Sequence, residues 1–450
     1  MSKKDSQFEK MTTEKIEKLL LALSVPAIMT MLVTTIYNIV DAAFVGLLGT
    51  SQSGATGIVN GFMSILQSVA FMCGQGAGSI ASRKLGEKKN DEADKFASTA
   101  ICSSFSLGLL ISILSFIFMH QLLGLLGSTP TIYPYAKSYI TYILIAAPFF
   151  TSSLTMNNLL RYEGKAKFGT AALMTGAILN IIGDAVFICG FHMGIAGAGL
   201  STAISQSIGF CIAISMYLRH KTTIRVSVRF ISKKLHDYFE IATTGCPSLM
   251  RQGLHATASM VLNANAAVYG DGAVAAMSIV SRLSFLPMAM AIGMGQGFQP
   301  ISGFNYGAKR VDRVKEAFLK ALTAAEIVLI AASVPMYIFA PKLVAILRND
   351  PEVIEIGTRA LRLMCIAQAV IPFSMMTEMG FQSTGQKAYA LVSSSLRSGI
   401  LFIPAIVIFS KLRGLAGIQE AQPVSIILAF FISVYLTKVY FDILKKHGEN

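Results

Sequence analysis

Long apolar runs recur along the whole 450-residue chain and constrain its fold more than any motif. Twelve can be marked, each about 20 to 30 residues, the length a helix needs to cross a bilayer. They cover 17–48, 54–80, 93–120, 132–160, 167–190, 195–218, 237–268, 272–300, 314–340, 353–382, 387–411 and 417–442. Inside lipid a backbone must satisfy its own hydrogen bonds, so segments of this length are predicted helical. Composition agrees: 53% of residues are hydrophobic, only 14% are charged, and the mean hydropathy is +0.60. One soluble core cannot hide that much apolar surface. A soluble enzyme, a nucleic-acid-binding protein and a disordered chain are excluded on this ground. The expected fold class is an all-α integral membrane protein with twelve transmembrane helices.

The net charge of +14 sits in the short loops. Arg83, Lys84, Lys88 and Lys89 mark one loop, Arg161, Lys165 and Lys167 the next, and Arg219 to Lys234 a third. Lys309, Arg310, Arg313 and Lys315 mark a fourth, and Lys387 lies in a fifth. The alternate loops, such as 190–194 and 270–272, hold no Lys or Arg. By the positive-inside rule the basic loops and both termini are expected in the cytoplasm of a multi-pass protein. The six cysteines form no Cys-x-x-Cys pair, so neither a disulfide framework nor a metal framework is expected. No P-loop, His-Glu-x-x-His or Gly-x-Ser-x-Gly pattern is present, which disfavours ATP drive and membrane hydrolysis. The expectation is a chain that is not an enzyme and needs no cofactor.

An internal repeat organises the chain. Shifted by 221 residues, Pro26 falls on Pro247 and Gly74-Gln75-Gly76 on Gly295-Gln296-Gly297. Gly86 falls on Gly307, and Gly164 on Gly385. Each half then holds six helices, an even number, so both halves share one orientation. The expected domains are an N-terminal bundle at 1–218, a cytoplasmic linker at 219–236 and a C-terminal bundle at 237–450. Two parallel six-helix bundles around a central cleft suit alternating access.

The halves differ where chemistry is expected. Asp41 maps onto Leu262, Asn180 onto Leu401, Asp184 onto Ala405 and Glu163 onto Thr384. A charged carboxylate in a bilayer is costly and is tolerated chiefly for function. Counting along the helices puts Asp41, Asp184 and Thr202 at one level, about 10 Å below the outer surface. Asn180 lies one turn below Asp184 on the same face. Two carboxylates, an amide oxygen and a hydroxyl make a hard-oxygen site for a cation such as Na⁺. Two adjacent carboxylates resist double ionisation, so the same groups could instead carry a proton.

Other candidates remain open between two roles. Glu378 could contact a cationic substrate or pair with an arginine of its own bundle. Glu163 could be a gate contact between halves or a solvated loop acid. Arg251, Arg282 and Arg397 read as paired structural arginines, or as a cluster favouring an anionic substrate. Met288, in a group with Met277, Met290 and Met294, could line a pocket that accepts varied aromatic cations.

The chain resembles the multidrug and toxic compound extrusion (MATE) transporters, and their MepA-like and DinF-like branches more than the NorM branch. Pro26, Tyr37 to Gly46, Gly74-Gln75-Gly76, Arg161 to Lys165, Asn180 to Asp184, Gly194 to Gly199 and Gly303 to Gly307 carry the resemblance. It implies a cation-coupled antiporter in a bacterial plasma membrane, with Asp41, Asn180, Asp184 and Thr202 holding Na⁺ or H⁺. It also implies a bend of the first helix at Pro26, and a pocket lined by Tyr37, Tyr139 and Asn157. The expected function is efflux of amphipathic, chiefly cationic compounds by a monomer, with drugs or metabolites and the lipid bilayer as partners. A flippase for lipid-linked precursors and an exporter of one metabolite are the alternatives.

Overall fold

Each of the twelve apolar runs is helical in the structure, a computed structural model that describes residues 3–449. In chain order the helices are α1 (Lys3–Thr13), α2 (Ile16–Gly46), α3 (Thr50–Gly86), α4 (Asn90–Ile117), α5 (Met119–Leu125), α6 (Tyr133–Tyr162), α7 (Ala166–Asp184) and α8 (Ile195–Leu218). They continue as α9 (Leu235–Ala267), α10 (Asp271–Gly307), α11 (Val311–Ile338), α12 (Ala340–Leu347), α13 (Pro351–Gln368), α14 (Ile371–Ser383), α15 (Lys387–Ser395), α16 (Phe402–Arg413) and α17 (Leu415–Glu449). No strand occurs among the described residues. Two turns are π-helical: Ala185–Gly190 prolongs α7, and Leu396–Ile400 joins α15 to α16.

Ten of these helices, counting α7 with its π turn and α15 with α16 as one each, are long and apolar enough to cross a bilayer. The pair α13 and α14, bent by 50° at its break, adds an eleventh. The remaining run is α9. It is 33 residues long, but its Asp237, Glu240, Arg251 and His255 make it more polar than the others.

The chain divides into two units, Met1–Met11 with Met29–Leu249, and Thr12–Ile28 with Met250–Asn450. The division differs from the expected boundaries near 218 and 237. More than the first three turns of α2 belong to the second unit, and the start of α9 belongs to the first. Both crossings fall just after an internal proline, Pro26 or Pro247. A proline removes one helical hydrogen bond, which makes such a point easy to bend.

The repeat has a packing basis within each unit. In the first, a Cβ on Gly245 of α9 would stand 1.9 Å from the Met72 carbonyl oxygen of α3. A Cβ on Gly76 would stand 2.2 Å from the Ile241 carbonyl oxygen. In the second, a Cβ on Gly297 of α10 would stand 2.1 Å from Ser24 Oγ and 2.7 Å from Ser24 N on α2. Gly297 is the repeat mate of Gly76, and Ser24 that of Gly245. Small residues let helix backbones approach where lipid supplies no hydrophobic drive for association.

The segment between α8 and α9 is strapped to the first unit rather than hanging as a tether. Backbone amides need acceptors when buried, and side chains of the first unit provide them. Glu163 Oε2 accepts from Thr223 N at 2.9 Å and Ile224 N at 2.8 Å. Asp94 Oδ1 accepts from Arg225 N at 2.8 Å, and Thr99 Oγ1 from Ser232 N at 2.9 Å. Gln7 of α1 donates to the Glu163 carbonyl at 3.0 Å, so α1 is held at the same place. Glu163 is fully buried. It is therefore neither a solvated loop acid nor a contact between halves; it caps a strap inside one unit, because two amide donors await a carboxylate there.

Burial pushes the Glu163 carboxyl up to about 8, against the pull of the Ile224 and Thr223 amides. A carboxyl raised above its unfolded value contributes stability that is lost as pH rises through the folded value. Protection of residues 219–234 against trypsin should thus fall as the pH rises from about 5 to about 8 in the native chain, and level off above that. In Glu163→Gln that pH dependence should vanish, whereas Glu163→Ala should be cleaved readily throughout. A pH-independent native chain would refute this role. Separately, Gly245→Ala should destabilise the protein by about 1–3 kcal/mol through overpacking, seen as a lower thermal midpoint in detergent.

Candidate cation-binding site

The first unit brings the expected acids together. Asp41 comes from α2, Asn180 and Asp184 from α7, and Thr202 from α8, and all four are buried. Asp184 has no exposed surface and Asp41 keeps 8%. Their carboxyl groups lie near enough to act on each other electrostatically. Tyr37 of α2 and Tyr139 of α6 lie within electrostatic range of both.

Neighbouring groups hold the cluster in place. Asn180 Nδ2 donates to Ser201 Oγ and to Thr202 Oγ1, each at 3.2 Å. Ser201 Oγ donates in turn to the Asn180 carbonyl at 2.9 Å. These bonds tie α7 to α8 and commit the amide nitrogen, which leaves Asn180 Oδ1 for another partner. The approach of the two helices depends on Gly183, where a Cβ would stand 2.4 Å from Ser201 Oγ. The helix widens into its π turn directly after Asp184, a feature that recurs at functional sites.

Four buried oxygens here have no hydrogen-bond partner: Asp41 Oδ1, Asn180 Oδ1, and both Oδ1 and Oδ2 of Asp184. All four are acceptors when the carboxyls are ionised. Buried acceptors without donors are costly, and facing carboxylates add mutual repulsion. A proton between the acids, or a bound cation, would relieve both costs. The all-oxygen donor set fits a hard monovalent cation, with Thr202 and Ser201 hydroxyls at its edge.

Sequence reasoning missed Ser201. Its position beside Thr202 was the one available signal, since its bond to a backbone carbonyl has no sequence signature. Two other expectations change, for Asn157 and Glu163, and the choice left open for Glu378 is resolved toward its arginine pair. Asn157 was expected in one pocket with Tyr37 and Tyr139. It lies 18 residues from Tyr139 on α6, about 27 Å along the axis, where it meets Gly169 of α7 instead. Glu378 is buried and accepts from Arg251 Nη1 at 2.6 Å, so its carboxylate is engaged by an arginine of its own unit rather than open to substrate. Glu163 caps the strap described above. Met288 is half-buried on α10 of the second unit.

Comparison with known proteins bears on both halves of the chain. The MatE family profile matches residues 26–186 and 247–408, two stretches that begin 221 residues apart, the offset of the internal repeat. The chain is 25% identical over 439 residues to the multidrug export protein MepA of Staphylococcus saprophyticus, covering 97% of each chain. It is 24% identical over 416 residues to MepA of Staphylococcus aureus, covering 92% of each. A solved MATE structure in the bent conformation superposes with a TM-score of 0.92 at 24% identity, covering 100% of both chains. An outward-facing multidrug resistance MATE transporter gives 0.92 at 24%, covering 99% of both. With both repeats matched by one profile, and the fold shared from end to end, the chain belongs to the MatE family.

Proposed function

We propose that this protein exports amphipathic organic compounds, cationic ones among them, in exchange for Na⁺ or H⁺ bound at Asp41 and Asp184. The observation that carries this reading is the facing pair of buried carboxyls with no donor on three of their oxygens. A transport site must bind its ion and release it. A pair that is costly when empty and relieved when filled has this property. The multidrug export named for the MepA relatives supports the direction and the substrate class.

In this reading the ion is cargo. Asp41 and Asp184 take its charge, and Asn180 Oδ1 and the Thr202 hydroxyl complete the oxygen set. Tyr37 and Tyr139 border the ion site in the first unit; separately, on the second unit, Met288 offers soft apolar surface to substrate. Occupancy of Asp41 biases α2, which bends at Pro26, and so favours one access state over the other. Linkage then requires ion and substrate each to weaken the other's binding if they favour opposite states. The basic loops support cytoplasmic termini in a bacterial plasma membrane, with the protein acting as a monomer.

Proteoliposomes loaded with ethidium test the reading. An inward Na⁺ gradient or an inward proton gradient should drive efflux in the native protein. Asp184→Asn should reduce that coupled efflux by at least about tenfold, in line with loss of a charged ligand. An indifferent variant, or efflux that ignores both gradients, would refute the site. Asn180→Ala distinguishes the ions: it removes one oxygen ligand. It should weaken Na⁺-driven efflux by about tenfold and affect proton-driven efflux far less.

A further inference from the structure

The second unit carries membrane-embedded charge that its own residues leave unbalanced. Arg251 lies 16 residues from either end of α9, about 24 Å from each, and therefore at the middle of that helix. It is paired with Glu378 of α14. Arg397 lies in the π turn Leu396–Ile400, within electrostatic range of both Glu378 and Arg251. Among the described residues Arg397 makes no hydrogen bond and no ion pair. One carboxylate thus serves two guanidiniums. His255, one turn along α9 from Arg251 and in range of Arg397, brings no negative charge.

A guanidinium cannot escape its desolvation cost by losing its proton. Arg251 fits the role of a paired structural arginine; Arg397 does not. Packing holds it in place, because a Cβ on Gly399 of the same turn would stand 2.8 Å from Leu254 Cδ1, so the turn lies against α9. Arg397 is only partly buried, unlike Asp184. An intramembrane cation without its own counter-ion is a mark of a substrate path.

We infer that Arg397, assisted by Arg251, forms a subsite for the anionic group of an organic ligand, a carboxylate or a phosphate. The planar fork of each guanidinium matches such a group with two parallel hydrogen bonds. Glu378 competes with the ligand for Arg251. This inference rests on the export reading and extends its substrates to anionic and zwitterionic amphiphiles.

The test is equilibrium binding to the full chain in phosphatidylcholine nanodiscs, with dansylglycine as probe and the neutral dansylglycinamide as its control. Wild type should bind the carboxylate about tenfold more tightly than the amide. Arg397→Gln should lose that preference, and Arg397→Lys should keep part of it. Glu378→Gln should raise carboxylate affinity several-fold by freeing Arg251, an effect a merely structural role would not produce. Thermal unfolding confirms that each variant is folded. Equal binding of both probes by wild type, or a preference that survives in folded Arg397→Gln, overturns the subsite. Unchanged or weaker carboxylate binding in Glu378→Gln overturns the part given to Arg251. Repeating the titration with phosphatidylglycerol in the nanodiscs separates the sources. Competition by the lipid assigns the site to a phospholipid headgroup, and its absence assigns it to a soluble carboxylate. No ion gradient is present, so loss of coupled efflux leaves this measurement intact, and a failed subsite leaves the coupling test intact.

Discussion

Two carboxyl groups face each other inside membrane-spanning helices without a donor to offset them, and much of the first unit is arranged to keep them there. Asp184 is sealed from solvent, and Asn180 is turned by two hydroxyls of α8 so that its oxygen is left over. Gly183 lets α8 come close enough for those bonds. Glu163 differs from these two acids in that its Oε2 takes two amides, although its Oε1 also has no partner. Glu163 and Asp184 are both buried acids of the same unit. One has donors on a single oxygen, from the strap, and the other has none on either oxygen.

Exchange of helix segments gives that local chemistry a long lever. The start of α2 is anchored in the second unit. Arg310 donates to the Thr12 carbonyl at 3.1 Å, Arg313 to the Glu14 carbonyl at 2.5 Å, and Ser24 packs on Gly297. The same helix carries Asp41 in the first unit, beyond Pro26. Charge at Asp41 and anchoring at Ser24 therefore act on one continuous helix, with the weakest backbone point between them. Such an element is suited to two arrangements, because packed interfaces switch between states more readily than they deform gradually.

Much of this was legible in the residues, for identifiable reasons. Helical rise is constant, so counting inward from charged loops placed Asp41, Asp184 and Thr202 at one depth, and the structure gathers them with Asn180. The repeat was legible because backbone contact tolerates only small side chains at Gly76, Gly245 and Gly297. What escaped the sequence depends on distant pairing. Glu163 meets amides 60 and 61 residues away, and Arg251 meets Glu378 127 residues away. Neither acid has a local pattern that marks it as satisfied, so the role of each stayed open. The exchanged halves of α2 and α9 escaped for the same reason: a helix shows its face in its sequence, but not which unit that face packs against.

The two units began as copies, and their polar residues have diverged in opposite directions. Asp41, Asn180 and Asp184 are replaced in the second half by Leu262, Leu401 and Ala405. In the second half Arg251 and Arg397 instead share one nearby carboxylate, Glu378. In lipid each excess charge must be answered by something that comes and goes, or by a permanent partner. The acid excess in one unit calls for a cation, and the guanidinium excess in the other calls for an anionic group. In the proposed reading, a chain that kept one scaffold twice yet charged its halves oppositely would take an inorganic ion in one unit and an organic anionic group in the other, so that the two cargoes need not compete for the same side chains.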